Sequence, residues 1–309
     1  MTRIRGLVVI GLLLGGAVRA ASVATTGANL LKATVGPRNQ AMGGAGTALP
    51  GDLSGGLANP ALLTSIGGRS LQLTHWPGVA NMRTEFASYS IPLGGLGLWA
   101  GSVLFRTLPD VDNEIPGELP VGVNDGMLMM SLARPVGKGR GSAGVNVKLF
   151  NSTLGDARAT SVALDIGALT STAGPNPLKY GISVNNVGNP IKHESAGEAL
   201  PLTVNGGVSW SRQWYPNGLT LAADWSFNIE QNLRIAAGAE WIQAGRLALR
   251  AGGGISRFGG PTFSMGAGWQ FRSTLLGPEA EYHLDYAFLP FALLTQFVPT
   301  HAFSLFIKF

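Results

Sequence analysis

The chain has 309 residues, no cysteine, 13% charged residues and 45 glycines. That charged share is about half that of an ordinary soluble domain, which argues against a soluble enzyme, and the lack of cysteine excludes stabilisation by disulfides. The formal net charge of +5 falls to +2 once Arg3, Arg5 and Arg19 are set aside, and no Lys/Arg cluster with interleaved aromatics supports nucleic-acid binding.

Those three arginines belong to the first predicted element. Arg3 and Arg5 precede an apolar run from Gly6 to Val18, and Val18-Arg19-Ala20 offers small residues for cleavage. This is the pattern of a secretory signal peptide over residues 1–20. The run is too short for a membrane anchor, which needs about 20 apolar residues.

Residues 21–69 carry little periodicity. The stretch GPRNQAMGGAGTALPGDLSGGLANPALL, from Gly36 to Leu63, is glycine-rich and almost uncharged. It is too apolar for a typical disordered tail, so it is expected to fold as a plug inside a larger body. Helical turns are expected around Ala41 to Ala48.

From residue 70 the period is two. In 262–272, Phe263, Met265, Ala267, Trp269 and Phe271 share one face, and Thr262, Ser264, Gly266, Gly268, Gln270 and Arg272 share the other. Alternate side chains of a strand face opposite ways. Segments of about ten residues, apolar outside and polar inside, are the signature of a transmembrane β-barrel. The alternation predicts an all-β, antiparallel barrel of about 14 strands, at 70–77, 83–91, 95–106, 126–136, 140–150, 159–169, 178–187, 200–210, 218–228, 232–242, 246–256, 261–272, 280–289 and 300–309. A soluble sandwich also alternates, but its strands are shorter. Trp76, Trp99, Trp210, Trp225, Trp241 and Trp269 sit near strand ends, where an aromatic girdle lies. With strand one starting in the periplasm, the long connections 107–125 and 188–199 fall outside. The location implied is the bacterial outer membrane.

The polar faces collect Lys148, Asp165, Asp224, Arg234, Glu240, Arg250, Arg272 and Asp285. Mixed signs suggest cross-strand pairs that stiffen the lumen wall and hold the plug, with Arg38 as the plug residue that meets a wall carboxylate. His283 and Asp285 are expected to form a lumen pair. Two loops are candidate partner-binding surfaces. One is acidic and proline-punctuated, with Asp110, Asp112 and Glu114; the other, 290–299, is apolar, with Phe291, Leu293 and Phe297. No GxSxG elbow, Walker A loop or HExxH pair occurs, and the histidines lack ligand spacing. No enzyme, metal or cofactor is expected.

Asn29-Leu30-Leu31-Lys32, the block from Gly36 through Arg38, Met42, Gly43 and Gly44 to Ala45, then Asp52 and Asn59-Pro60-Ala61, together resemble the N-terminal motif of the PorV/PorQ outer-membrane proteins, a branch of the FadL-like barrels. The segment from Asp285-Tyr286 to Phe309 is similar too. The chain departs at Leu62, where the family has glycine. The resemblance implies a 14-stranded barrel with the N-terminal segment in its lumen. On the PorV side it implies type IX secretion, with a translocon and the C-terminal domain of cargo as partners. On the FadL side it implies passage of hydrophobic small molecules through a hatch and a lateral gap. A structural or adhesin barrel is the third reading.

Overall fold

The computed structural model describes Thr26 and residues 28–309 except 79–80, 112–120, 138, 194–195, 231, 258–259, 276–279 and 294–295; for 110–111, 121, 196, 260–261, 291–293 and 296–298 the description is of the backbone. The expected signal peptide lies outside the described residues. Among those described, fourteen strands close into an antiparallel barrel. They are β1 (Ser70–Pro77), β2 (Arg83–Pro92), β3 (Leu98–Val111), β4 (Val121–Val136), β5 (Gly141–Leu154), β6 (Ala157–Ser171), β7 (Leu178–Gly188), β10 (Thr203–Trp214), β11 (Asn217–Asn228), β12 (Leu233–Gln243), β13 (Leu247–Ser256), β14 (Gly260–Ser273), β15 (Ala280–Leu293) and β16 (Gln296–Lys308). The two remaining strands, β8 (Ile191–His193) and β9 (Ala196–Glu198), form a small hairpin of their own. Closure is made by β1 on β16, from Ser70 opposite Lys308 to His75 opposite Phe303.

The alternation explains the wall. Leu221, Trp225, Ile235, Trp241, Leu249, Phe263 and Trp269 are exposed on the outer face. Their neighbours Thr220, Asp224, Ala236, Glu240, Ala248, Arg250 and Ser264 are buried toward the lumen. An outer surface of large apolar side chains is what a strand presents to lipid.

Several expectations need correction. The connection predicted over 107–125 is mostly strand, so Asp110 belongs to β3; Asp112 and Glu114 lie outside the described residues. The apolar segment at 290–299 is not a loop either. Phe291 and Leu293 belong to β15 and Phe297 to β16, with Phe291 opposite Val298 and Leu293 opposite Gln296. A 16-residue strand such as β4 exceeds the 9–11 residues that cross a bilayer, so strands continue past the membrane where loops were expected. Trp76 does not join the outer girdle. It packs inward on Ala41, Ala287 and Ala302, with the Arg106 guanidinium 5.9 Å from its ring centre.

The N-terminal segment threads the lumen. It begins at the barrel end opposite to Ser70 and Phe309, where Thr26 bridges to Ala199 and donates to Glu230. A 3₁₀ turn (Asn29–Lys32) follows, then α1 (Pro37–Ala41), α2 (Gly55–Ala58) and a second 3₁₀ turn (Pro60–Ser65). Helix is therefore found at 37–41 and not over 41–48. Pro37 stands at the first turn of α1, where its fixed φ suits a helix start. Gly43 and Gly44 follow at φ 70° and 79°, a conformation that stops the helix and suits glycine.

Candidate functional site

The plug has little regular structure, so its backbone carbonyls need partners from elsewhere. The wall supplies them with short polar side chains. Ser209 Oγ donates to Ala48 O at 2.6 Å, Ser183 Oγ to Ala58 O at 2.7 Å and Ser142 Oγ to Ala61 O at 3.1 Å. Asn146 Nδ2 donates to Gly56 O at 2.9 Å, and Asn185 Nδ2 to Leu57 O at 3.0 Å. Ser264 Oγ donates to Ala41 O and accepts from Gly43 N, both at 3.2 Å. The lumen face is thus a bed shaped to the plug.

Steric fit points the same way. A Cβ added at Gly238 would lie 2.5 Å from Met42 O, and one at Gly144 would lie 2.5 Å from the Pro60 carbonyl carbon. Gly167, Gly181 and Gly252 press equally closely on Asn59, Thr47 and Met42. Glycine permits such backbone contact because it has no side chain. Part of the glycine content therefore serves plug contact from the wall side. Within the plug, Gly36 is held at φ 96° against Ser54. Asp52 accepts from Ser54 Oγ at 2.6 Å and Gly55 N at 3.0 Å. Asn59 is buried and ties the segment together: Nδ2 donates to Thr47 O at 2.9 Å and to Ala168 O of β6 at 3.1 Å, while Oδ1 accepts from Ala61 N at 3.0 Å. Pro60 opens the second 3₁₀ turn.

Charged side chains of the wall also hold the plug. Arg38 makes two 2.8 Å bonds to Glu240, through Nε and Nη2, and a 2.7 Å bond to Pro50 O. Glu240 also accepts from Arg250 Nε at 2.7 Å, and Arg250 Nη1 meets Asp285 at 2.5 Å. One plug cation and three wall residues therefore form a single chain of buried, alternating charge. Bidentate guanidinium–carboxylate pairs are the strong, orienting kind. Asp224 accepts from Thr47 N at 2.6 Å, and Arg234 donates to Gly43 O. On the opposite wall Lys148 pairs with Asp165 at 2.7 Å, both fully buried. There Asp165 also accepts from Asn186 N, at the irregularity where β6 and β7 shift register. Arg272 is exposed on β14 and stands outside this network. His283 does not pair with Asp285. It bonds Glu281 at 2.8 Å, because Arg250 takes Asp285.

At the open end the segment is clasped by Glu230. Thr26 donates to it through N and Oγ1, and the Lys32 ammonium lies 3.2 Å away. Burial works to raise the Glu230 pKa, but the Thr26 hydrogen bonds and the Lys32 charge outweigh it, so the carboxyl titrates below its usual range. A depressed carboxyl contributes stability above its ordinary value of 4.5 and loses it as pH falls through the lowered pKa. Acidification through that range is expected to lower the protection factors of amides 28–33, that is, their slowing relative to the intrinsic exchange rate at each pH. In Glu230→Gln those protection factors should be low at neutral pH and change little with acid.

The lumen also holds a surface that the alternation did not reveal. Phe86, Leu104, Met127, Met129 and Phe150 point inward from β2 to β5, with Ala159 and Ala163 of β6. Leu30 and Val35 of the plug fill this apolar wall, together with Ile191 of β8 and Leu200. Beside it, between plug and the β7–β12 wall, lies a cavity of about 290 Å³ bordered by Asn39, Asn185, Asn186, Asn205, Asn228 and Asn232, with Asp224 and Arg234. One interior thus has an apolar compartment, now occupied by the plug, and an amide-rich cavity next to it.

No protein-family model matches the sequence, and no curated protein does. Solved structures do resemble it. The toluene transporter TbuX of Ralstonia pickettii aligns over 88% of this chain and 97% of its own, with TM-score 0.56 and 12% identity. A FadL homologue of Pseudomonas aeruginosa aligns over 90% and 98%, with TM-score 0.54 and 14% identity. The monoaromatic hydrocarbon channel CymD aligns over 89% and 97%, with TM-score 0.58 and 14% identity. At such identities the likeness establishes the fold alone, a closed barrel shared with these structures. A closed barrel of this fold with an apolar outer face is a protein of the bacterial outer membrane.

Proposed function

We propose that the chain is an outer-membrane channel for small hydrophobic molecules, with residues 26–69 as the plug that shuts its lumen. The observation that carries this reading is the apolar inner wall from Phe86 to Phe150, filled by Leu30 and Val35. A lumen that passes water and ions is lined by polar residues, so an apolar inner wall favours a hydrophobic passenger over those. Displacing the plug from that wall would leave a greasy path of the right chemistry for a hydrocarbon. The names of the similar structures, a toluene transporter and a monoaromatic hydrocarbon channel, favour the same substrate class. They favour it over the secretion role with a translocon and cargo. In this reading the end bearing Glu230 faces outward and the end bearing Ser70 faces the periplasm.

The test is flux. Cells displaying the protein in an intact lipopolysaccharide outer membrane should take up toluene faster than cells lacking it, with saturation at high concentration. Uptake no faster than in cells lacking it would remove this function and return the secretion and structural readings.

A further inference from the structure

The two ends of the barrel differ in charge. Arg69, Arg134, Arg140, Arg212, Arg246 and Arg272 stand exposed at the end bearing Ser70 and Phe309. None of them has a carboxylate within ion-pair distance among the described residues. Among those residues the surface carboxylate at this end is Glu281, bonded to His283 at 2.8 Å. The opposite end mixes signs: Arg83 is two residues from Glu85, Arg158 is two from Asp156, and Lys32 pairs with Glu230. A rim of like charges without counterions carries a field that draws anions.

The strand pattern turns part of this rim toward lipid. On β4, Arg134 continues the outward series Leu128, Met130 and Leu132. On β10, Arg212 stands opposite Leu219 and two residues before the exposed Trp214. Side chains on that face meet the bilayer, and an arginine at the membrane edge lays its stem on apolar surface while its guanidinium reaches the headgroups.

One place on the rim has the shape of a headgroup site. The turn between β12 and β13 ends at Arg246, whose carbonyl accepts from Gln270 N at 2.8 Å. Pairing of β13 with β14 stops at Leu247 opposite Trp269, while β14 runs on to Ser273. Phe271 and Arg272 therefore pass the turn with no strand beside them on that side. The step holds a cleft of about 560 Å³ bordered by Arg246, Trp269, Gln270, Phe271, Arg272 and Glu281. Its two guanidinium groups outnumber its one carboxylate, which His283 already holds. Guanidinium groups suit phosphate oxygens through paired hydrogen bonds. Trp269 and Phe271, exposed on the outer face, are the aromatic residues that sit at headgroup depth.

We propose that this cleft holds the headgroup of an anionic phospholipid, and that the basic rim gathers such lipids around the end of the barrel that faces the periplasm. Lipopolysaccharide keeps to the other leaflet, so the lipid met at this end is phospholipid. The outward arginines and the aromatic side of the cleft favour a lipid over a soluble anion or an acidic protein. The inference rests on the membrane location and the orientation given above, and is independent of what crosses the lumen.

The test offers the full-length protein, in detergent micelles, equal amounts of phosphatidylglycerol and phosphatidylethanolamine, and weighs the retained lipid by native mass spectrometry. Phosphatidylglycerol should be retained about fivefold over phosphatidylethanolamine, the scale of one basic residue at an anionic surface. In Arg246→Gln with Arg272→Gln the ratio should fall toward one. Arg83→Gln with Arg158→Gln removes the same charge from the other end and should leave the ratio unchanged. All four side chains are exposed, so neither double variant should disturb the barrel. Equal retention of the two lipids by the native protein overturns the proposal, as does a preference that survives the loss of Arg246 and Arg272. An equal fall in both double variants overturns it too, because net charge and not the cleft would then set the preference.

Discussion

Glu240→Ala is expected to open the barrel. In the intact protein Glu240 lies between Arg38 of the plug and Arg250 of the wall. Removing it leaves two guanidinium groups facing each other in a buried site, with only Asp285 to answer them. Removing one partner of a buried ion pair costs about 3–5 kcal/mol. The wall has an easy way to avoid this cost. Its strands are held by continuous ladders of backbone hydrogen bonds on both sides, whereas the plug is held by side-chain contacts. The cheapest relaxation is for α1 to lift out so that Arg38 reaches water. Single-channel recordings should show large, frequent openings in Glu240→Ala that are rare in the native protein. Arg38→Ala should have a smaller effect, since Glu240 keeps Arg250. Recordings of Glu240→Ala indistinguishable from the native protein would show that the charge chain does not hold the plug.

Filling the wall glycines should have a comparable effect by a different route. A side chain at Gly238 would meet the Met42 carbonyl, and one at Gly252 would meet the Met42–Gly43 peptide. Overpacking of this kind costs about 1–3 kcal/mol, and the bulkier valine at both positions should exceed what the plug can absorb by shifting. The double variant Gly238→Val, Gly252→Val should keep the heat-resistant strand signal of the barrel while a protease cuts within residues 36–66. Gly95→Ala is the control. It sits in a turn with nothing within 4 Å of the added atom, and protection of the plug should be unchanged. Protection retained in the double valine variant would mean that the plug does not rest on these glycines.

The barrel was legible in the sequence where one face of a strand is apolar and the other is small or polar, as in β11 through β14. The strand count and the inward set Asp224, Glu240, Arg250 and Asp285 follow from that alternation. Glu240 and Arg250 stand directly opposite across β12 and β13, a pairing that register alone supplies. The apolar compartment was hidden because β4 is apolar on both faces. Met127 and Met129 point in while Leu128, Met130 and Leu132 point out, so a continuous apolar run conceals a strand with two different environments. Trp76 misled for a related reason: nearness to a strand end says nothing about which face a side chain takes, and β1 turns it toward Ala41. The seat of the plug could not be read at all. It depends on which wall glycines meet which peptide of residues 42–60, a matter of three-dimensional register between segments about 100 to 200 residues apart.

A plug that shuts a hydrophobic path must move before a hydrophobe can cross. The native chain has no cysteine, so Ala48→Cys with Ser209→Cys, on segments that meet where Ser209 Oγ donates to Ala48 O at 2.6 Å, gives one pair of thiols that a short, reducible thiol-reactive crosslinker can join as a tether between plug and wall. Toluene uptake by cells displaying this variant in a lipopolysaccharide outer membrane is measured crosslinked and then reduced. Flux is expected to be abolished by the crosslink and restored by reduction. Full flux with the tether closed would contradict it, because hydrophobes would then cross without the plug moving.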